Sequence, residues 1–106
     1  MRAPIIITGH DQQFAAWAAE RLEHVGPNGF GNCRAFGIAK GTGSHDARLL
    51  AVAVFHDWQP RAQTIQISCA STSPMWAHPD TIRELLKYPF IDCECFKAWV
   101  AIPEAN

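Results

Sequence analysis

The run from Leu49 to Trp58, Leu-Leu-Ala-Val-Ala-Val-Phe-His-Asp-Trp, constrains this chain most, because it is almost continuously apolar. Alternate side chains of a strand leave on opposite faces, so a strand apolar at successive positions needs cover on both. Such a strand belongs in the middle of a sheet. The flanking sequence supplies neighbours for it. Cys33 to Lys40 alternates small residues (Cys33, Ala35, Gly37, Ala39) with a mixed set (Arg34, Phe36, Ile38, Lys40). Thr64 to Ala70 sets Ile65, Ile67 and Cys69 against Gln66 and Ser68. Cys95 to Ile102 sets Phe96, Ala98, Val100 and Ile102 against Lys97, Trp99 and Ala101, and Pro103 closes it. Ile5, Ile6 and Ile7, β-branched and held between Pro4 and Gly9, predict a short first strand.

Two helices fit between these strands. Asp11 reads as the N-cap of a helix to about His24, with Phe14, Trp17, Ala18 and Leu22 at helical spacing. The cluster Val25-Gly26-Pro27-Asn28-Gly29 ends it. Pro79 or Asp80 opens a second helix carrying Ile82, Leu85 and Leu86, and Pro89 stops it. Turn clusters at Gly41–Asp46, Gln59–Ala62 and Ser71–Pro74 separate the remaining elements. The order is β-α-β-β-β-α-β, an α/β (α+β) domain over residues 1–106 with a mixed, mostly antiparallel sheet. Its final strand–helix–strand connection is a crossover that sets the last strand parallel to its predecessor.

Composition narrows the function. Hydrophobic residues make up 48% and charged residues 18%, which is globular and not disordered usage. A formal charge of −1, with Lys and Arg scattered, leaves no footprint for nucleic acid or anionic membrane. No apolar run approaches the ~20 residues of a membrane-spanning helix. Met1 to Thr8 is too short for a signal-peptide core, so the expected compartment is the cytoplasm and the four cysteines are expected as thiols.

Most candidate chemistry in the chain reads as structural. Cys93-Glu94-Cys95 and five dispersed histidines lack the paired spacing of a zinc site, so no metal is expected and these thiols read as small hydrophobes. His56 and Asp57 are adjacent on a strand, so alternation sends them to opposite faces, while Trp58 reads as a cap on the core. Gly41-Thr42-Gly43 joins two strands and opens no helix, which makes it a hairpin turn and not a phosphate loop. Thr64 to Tyr88 differs. A strand that breaks at Ser71-Thr72-Ser73-Pro74 and feeds a helix places backbone N–H groups at a positive helix end. That segment reads either as an anion cradle or as an ordinary βα loop.

The runs Ala51–Trp58, Ile65–Trp76 and Leu85–Phe90 resemble the small GNAT-type N-acetyltransferase-like proteins encoded by bacteriophages. The resemblance extends from about Ile5 to Asn106. It implies acetyl-CoA as cofactor and acyl transfer to an amine. Cys69, Ala70 and Ser71 would then meet the pantetheine arm, and Trp76, Ala77, His78, Asp80 and Thr81 would surround the phosphates. Asn106 falls where a family asparagine often follows the last strand. The chain departs from the family in two ways. It has no glycine after Gly43, so the glycine-rich phosphate loop is replaced by Met75-Trp76-Ala77-His78-Pro79-Asp80. It also stops at Asn106, where the family continues with a helix and two strands, so the expected fold is a truncated GNAT.

No general base stands out, and the catalytic residues stay unassigned. The alternative expectation is a non-catalytic phage accessory, virion or host-inhibitor protein on the same scaffold. Its location would be the host cytoplasm or the virion. On either reading the Cys95–Ile102 strand is an exposed edge, which predicts a homo-oligomer or a protein partner there.

Overall fold

The structure, a computed structural model, describes residues 4–22, 25, 29–40 and 48–101. The apolar run lies in the central strand β3 (Arg48–Gln59), flanked by β2 (Cys33–Lys40) and β4 (Thr64–Ser71), both antiparallel to it. Outside these lie β1 (Ile5–Ile7), antiparallel to β2, and β5 (Lys97–Ala101), parallel to β4. The result is one five-stranded mixed sheet in the order β1-β2-β3-β4-β5. Helix α1 (Asp11–Ala19) follows β1, and α2 (Pro79–Lys87) connects β4 to β5.

The two faces of β3 have separate cores. Val52 and Val54 pack with Ala35, Ala70, Ala18 and Leu22 on the α1 side. Ala51, Ala53 and Phe55 pack with Phe36, Ile38, Ile65, Ile67, Leu85 and Cys95 on the α2 side. The small-residue face of β2 decides how close α1 can come. A Cβ on Gly37 would lie 2.8 Å from the Phe14 ring and 2.9 Å from Leu49, so the ring occupies the space a side chain would take. On the opposite face Phe36, Phe55 and Tyr88 form an aromatic trio with centroids 5.0–5.4 Å apart. Each such pair contributes roughly 0.5–1.5 kcal/mol beyond its burial and ties the end of α2 to β2 and β3.

Several expectations change at element ends. Asp11 does not cap α1; His10 holds the cap position without a side-chain bond. Asp11 Oδ1 instead accepts from the backbone N–H of Ala35, 2.9 Å away. β1 pairs only with Gly37–Ala39, so this carboxylate takes over where the short strand runs out. α1 ends at Ala19 and does not continue to His24, since the Arg21 N–H already turns back to Ala18; residues 23–24 and 26–28 lie outside the described residues. Pro89 ends α2 without ending helical winding. Tyr88–Asp92 continue as one wide turn, closed by the Cys93 N–H on the Tyr88 carbonyl. β5 begins at Lys97 and not at Cys95, because Glu94 takes a left-handed conformation (φ 55°) just before it. The Gly41–Asp46 turn falls among residues not described.

Candidate functional site

β4 carries the site. Its inward residues Ile67 and Cys69, together with Ala53 and Phe55 of β3, floor an apolar cavity of about 250 Å³. Trp76 closes one end, Val100 of β5 forms one wall, and Ile82, Leu85 and Leu86 of α2 form the other. The cavity exists because α2 seats only one stripe on the sheet. Thr81 and Leu85 are buried, whereas Ile82 and Leu86 remain 38% and 37% exposed at the mouth. Val100 is 52% exposed beside them. Pockets that enclose a drug-sized molecule run to roughly 300–1,000 Å³, so this one has room for a small apolar group or one part of a larger molecule.

The Cys69 thiol faces this cavity. Burial pushes it up to about 11, so at neutral pH it is a protonated, apolar wall and not a nucleophile. Ala70 points the other way into the α1-side core and can meet a ligand in the cavity only through backbone, while Ser71 is exposed on the cavity's face of the sheet but outside its lining.

The turn after β4 is built by local capping. Ser73 Oγ accepts from the Met75 N–H at 3.2 Å, starting a single 3-10 turn over Pro74–Trp76. His78 caps α2, its Nδ1 accepting from the Asp80 N–H at 3.1 Å, with Pro79 in the first helical position. Two donors of the helix start are therefore gone: Pro79 has none, and that of Asp80 is taken. The Asp80 carboxylate stands at the same end, 3.1 Å from Arg83. Ala77 is exposed and His78 half-buried beside it. This end is poor in anion donors and close to charge-neutral. Thr81 is 2% exposed, and its hydroxyl is the one buried side-chain polar atom without a partner among the described residues. The structure thus brings Cys69 and Trp76 to the cavity, buries Thr81 away from its lining, and leaves Ser71, Ala77 and Asp80 at the surface. Asn106 lies outside the described residues.

A second constellation lies on the α1 side, where residue-by-residue alternation fails. Asp57 has φ 53°, and the β3–β4 register slips between His56 and Gln59. This bulge turns Asp57 so that its carboxylate accepts from Gln66 Nε2 at 3.0 Å and from Gln59 Nε2 at 2.9 Å. His56 Nε2 shares a hydrogen bond of 2.9 Å with Ser68 Oγ, and the Phe30 ring lies 4.8 Å from the imidazole. His56 and Asp57 therefore both serve the Gln66–Ser68 side of β4, contrary to the strict alternation expected of them. Ser68 is 1% exposed, and its hydroxyl orients the imidazole. The signal that could have shown this is the Asp-Trp-Gln-Pro sequence, where a strand gives way to a turn. Trp58 is 51% exposed, yet its side chain hydrogen-bonds the buried Cys95, so it covers the core only in part.

The remaining cysteines are structural. Cys95 is buried and Cys93 half-buried, both packed in the α2-side core. Burial, and then the neighbouring Cys93, pushes the Cys95 thiol up. Burial is also the main reason Tyr88 is pushed up to about 12, with its hydrogen bond to Cys93 second. Among the described residues no three His, Cys, Asp or Glu gather as metal ligands, and no helix is long and apolar enough to cross a membrane. Comparisons with protein-family models, with characterised proteins and with solved structures find no match to this chain.

Proposed function

We propose that the chain is a GNAT-like domain whose β4–α2 cleft takes the acyl end of acetyl-CoA for transfer to an amine. The observation that carries this reading is the apolar cavity beside the parallel β4–β5 pair, where Cys69, Trp76, Ile82, Leu86 and Val100 surround a space of acyl-group size. The family resemblance assigns the coenzyme to this same segment. Acceleration would come from positioning the thioester and from backbone donors on its carbonyl. The near-neutral start of α2 favours weak phosphate binding, so affinity rests on the acyl and pantetheine parts. On this reading the protein works in the cytoplasm, that of the host cell if it is phage-encoded.

Thermal denaturation with and without acetyl-CoA tests it. A ligand at a hundredfold excess over its dissociation constant adds about 2.7 kcal/mol of apparent stability. No shift at millimolar coenzyme discards the reading. One observation favours a second reading, a non-catalytic accessory protein: Phe96, Trp99 and Val100 at the sheet edge are all more than half exposed.

A further inference from the structure

β5 is the outermost strand of the sheet on its side, and its backbone shows which residues face outward. Lys97 pairs with Thr64 and donates its N–H to the Gln63 carbonyl at 3.4 Å. In a parallel ladder the residues of one strand alternate between pointing both backbone groups at the neighbour and pointing both away. Lys97, Trp99 and Ala101 therefore address β4. Ala98 and Val100 present their N–H and C=O groups to the open edge. Phe96 cannot extend that outward set, because its N–H is bound to Gln63 at 3.0 Å. A short edge with an outward pair two residues apart accepts another strand in few registers.

We infer that this edge pairs with β5 of a second copy of the chain, antiparallel about a two-fold axis through Trp99. The same strand meeting itself across a two-fold axis must run antiparallel. Ala98 then lies opposite the partner's Val100 and Val100 opposite the partner's Ala98, giving about four inter-strand hydrogen bonds. Trp99 sits between them as a non-hydrogen-bonded pair with the partner's Trp99, on the α1 side of the sheet. Each position fits itself: a small residue faces a larger one on the cavity side, and two half-exposed indoles meet on the other.

Charge favours a second copy over an acidic partner. Lys97 is the only ionisable side chain on β5 and is already engaged with an aromatic ring, its Nζ 4.0 Å from the Trp99 ring. In this register Lys97 and the partner's Lys97 stand about 14 Å apart at ~3.4 Å per residue, beyond a Debye length of about 8 Å. Val100 continues into Ile82 and Leu86 at the cavity mouth, so pairing also extends the wall of that cavity. The dimer does not depend on what the cavity binds.

Sedimentation equilibrium of the full chain across the micromolar range tests this, with Val100→Pro as the edge variant. Proline at Val100 removes an outward N–H and leaves the β4 ladder whole, as edge positions tolerate. The expected result is twice the chain mass for the wild type and the single mass for folded Val100→Pro. A monomeric wild type, or a Val100→Pro that still dimerises, overturns the inference. Should Val100→Pro fail to fold, Trp99→Cys decides. A non-hydrogen-bonded pair holds its Cα atoms about 4.5 Å apart, within disulfide reach. Trp99→Cys must then form a covalent dimer under mild oxidation where the wild type forms none, and failure to cross-link refutes the pairing.

Discussion

Gly37→Ala tests whether the α1 face is packed by contact with bare backbone. The added methyl would lie 2.8 Å from two carbons of the Phe14 ring and 2.9 Å from Leu49 Cδ2, so both side chains must move. Overpacking of this kind costs roughly 1–3 kcal/mol. Replacing glycine in a strand returns roughly 0.5–1 kcal/mol, since glycine is the more disordered residue when unfolded. The atoms in the way are the far ends of side chains, and Phe14 is only half-buried, which puts the overlap cost in the lower half of its range. The expected net loss is about 1 kcal/mol, or roughly 4–8 °C in Tm for a domain of this size. Urea unfolding followed by tryptophan fluorescence measures it. The cause is isolated by repeating the change in a Phe14→Leu background, where the substitution should become neutral or stabilising. A Gly37→Ala protein as stable as wild type, or an equal loss in both backgrounds, refutes the argument that the ring sits in the glycine's place.

Two further changes probe buried groups of α2 and β4. Thr81→Val keeps the shape and removes a buried hydroxyl that has no partner, so urea unfolding should show it unchanged or about 1 kcal/mol more stable; a clear loss would mean the hydroxyl is satisfied in solution. For Cys69, burial raises the thiol from 9.0 to about 11 in the folded state, so the folded protein holds the proton more tightly than the unfolded chain. Its contribution is whole below pH 9 and is lost as pH rises towards 11, by at most about 3 kcal/mol. Cys69→Ala should flatten that part of the alkaline stability profile, and a profile unchanged by the substitution contradicts the burial argument.

The parts of this fold legible in the sequence are those where side-chain period and burial say the same thing. The double-faced run of β3, the small face of β2 and the split of β4 into Ile65, Ile67 and Cys69 against Gln66 and Ser68 all emerge from alternation. Ends and bulges were not legible, because they are set by contacts distant in sequence. Asp11 looks like a cap from its neighbours alone, yet its carboxylate goes to the Ala35 N–H, 24 residues on, because β1 stops short of it. Asp57 looks like an outward strand residue until the register slip turns it towards Gln66. The cavity was illegible for a related reason. Ile82 and Leu86 read as core on a helix pattern, and only the seating of α2 shows that they line a space.

That seating links the cleft to the edge. α2 centres on Leu85 and is drawn towards β2 and β3 by the adjoining Tyr88, which contacts both Phe36 and Phe55. A helix held over the middle of the sheet cannot also cover its rim, so Val100 is left open and the space under Ile82 and Leu86 stays unfilled. On the other face α1 packs against residues of β2, β3 and β4, leaving Trp99 open as well. Both faces of β5 are thus exposed for one reason: each helix is anchored near the centre of the sheet. An extension of α2 cover to β5 would require losing the Tyr88 trio, roughly 0.5–1.5 kcal/mol for each aromatic pair. The aromatic anchoring of α2 therefore determines both that the protein has an apolar cleft and that the cleft opens beside an unpaired strand.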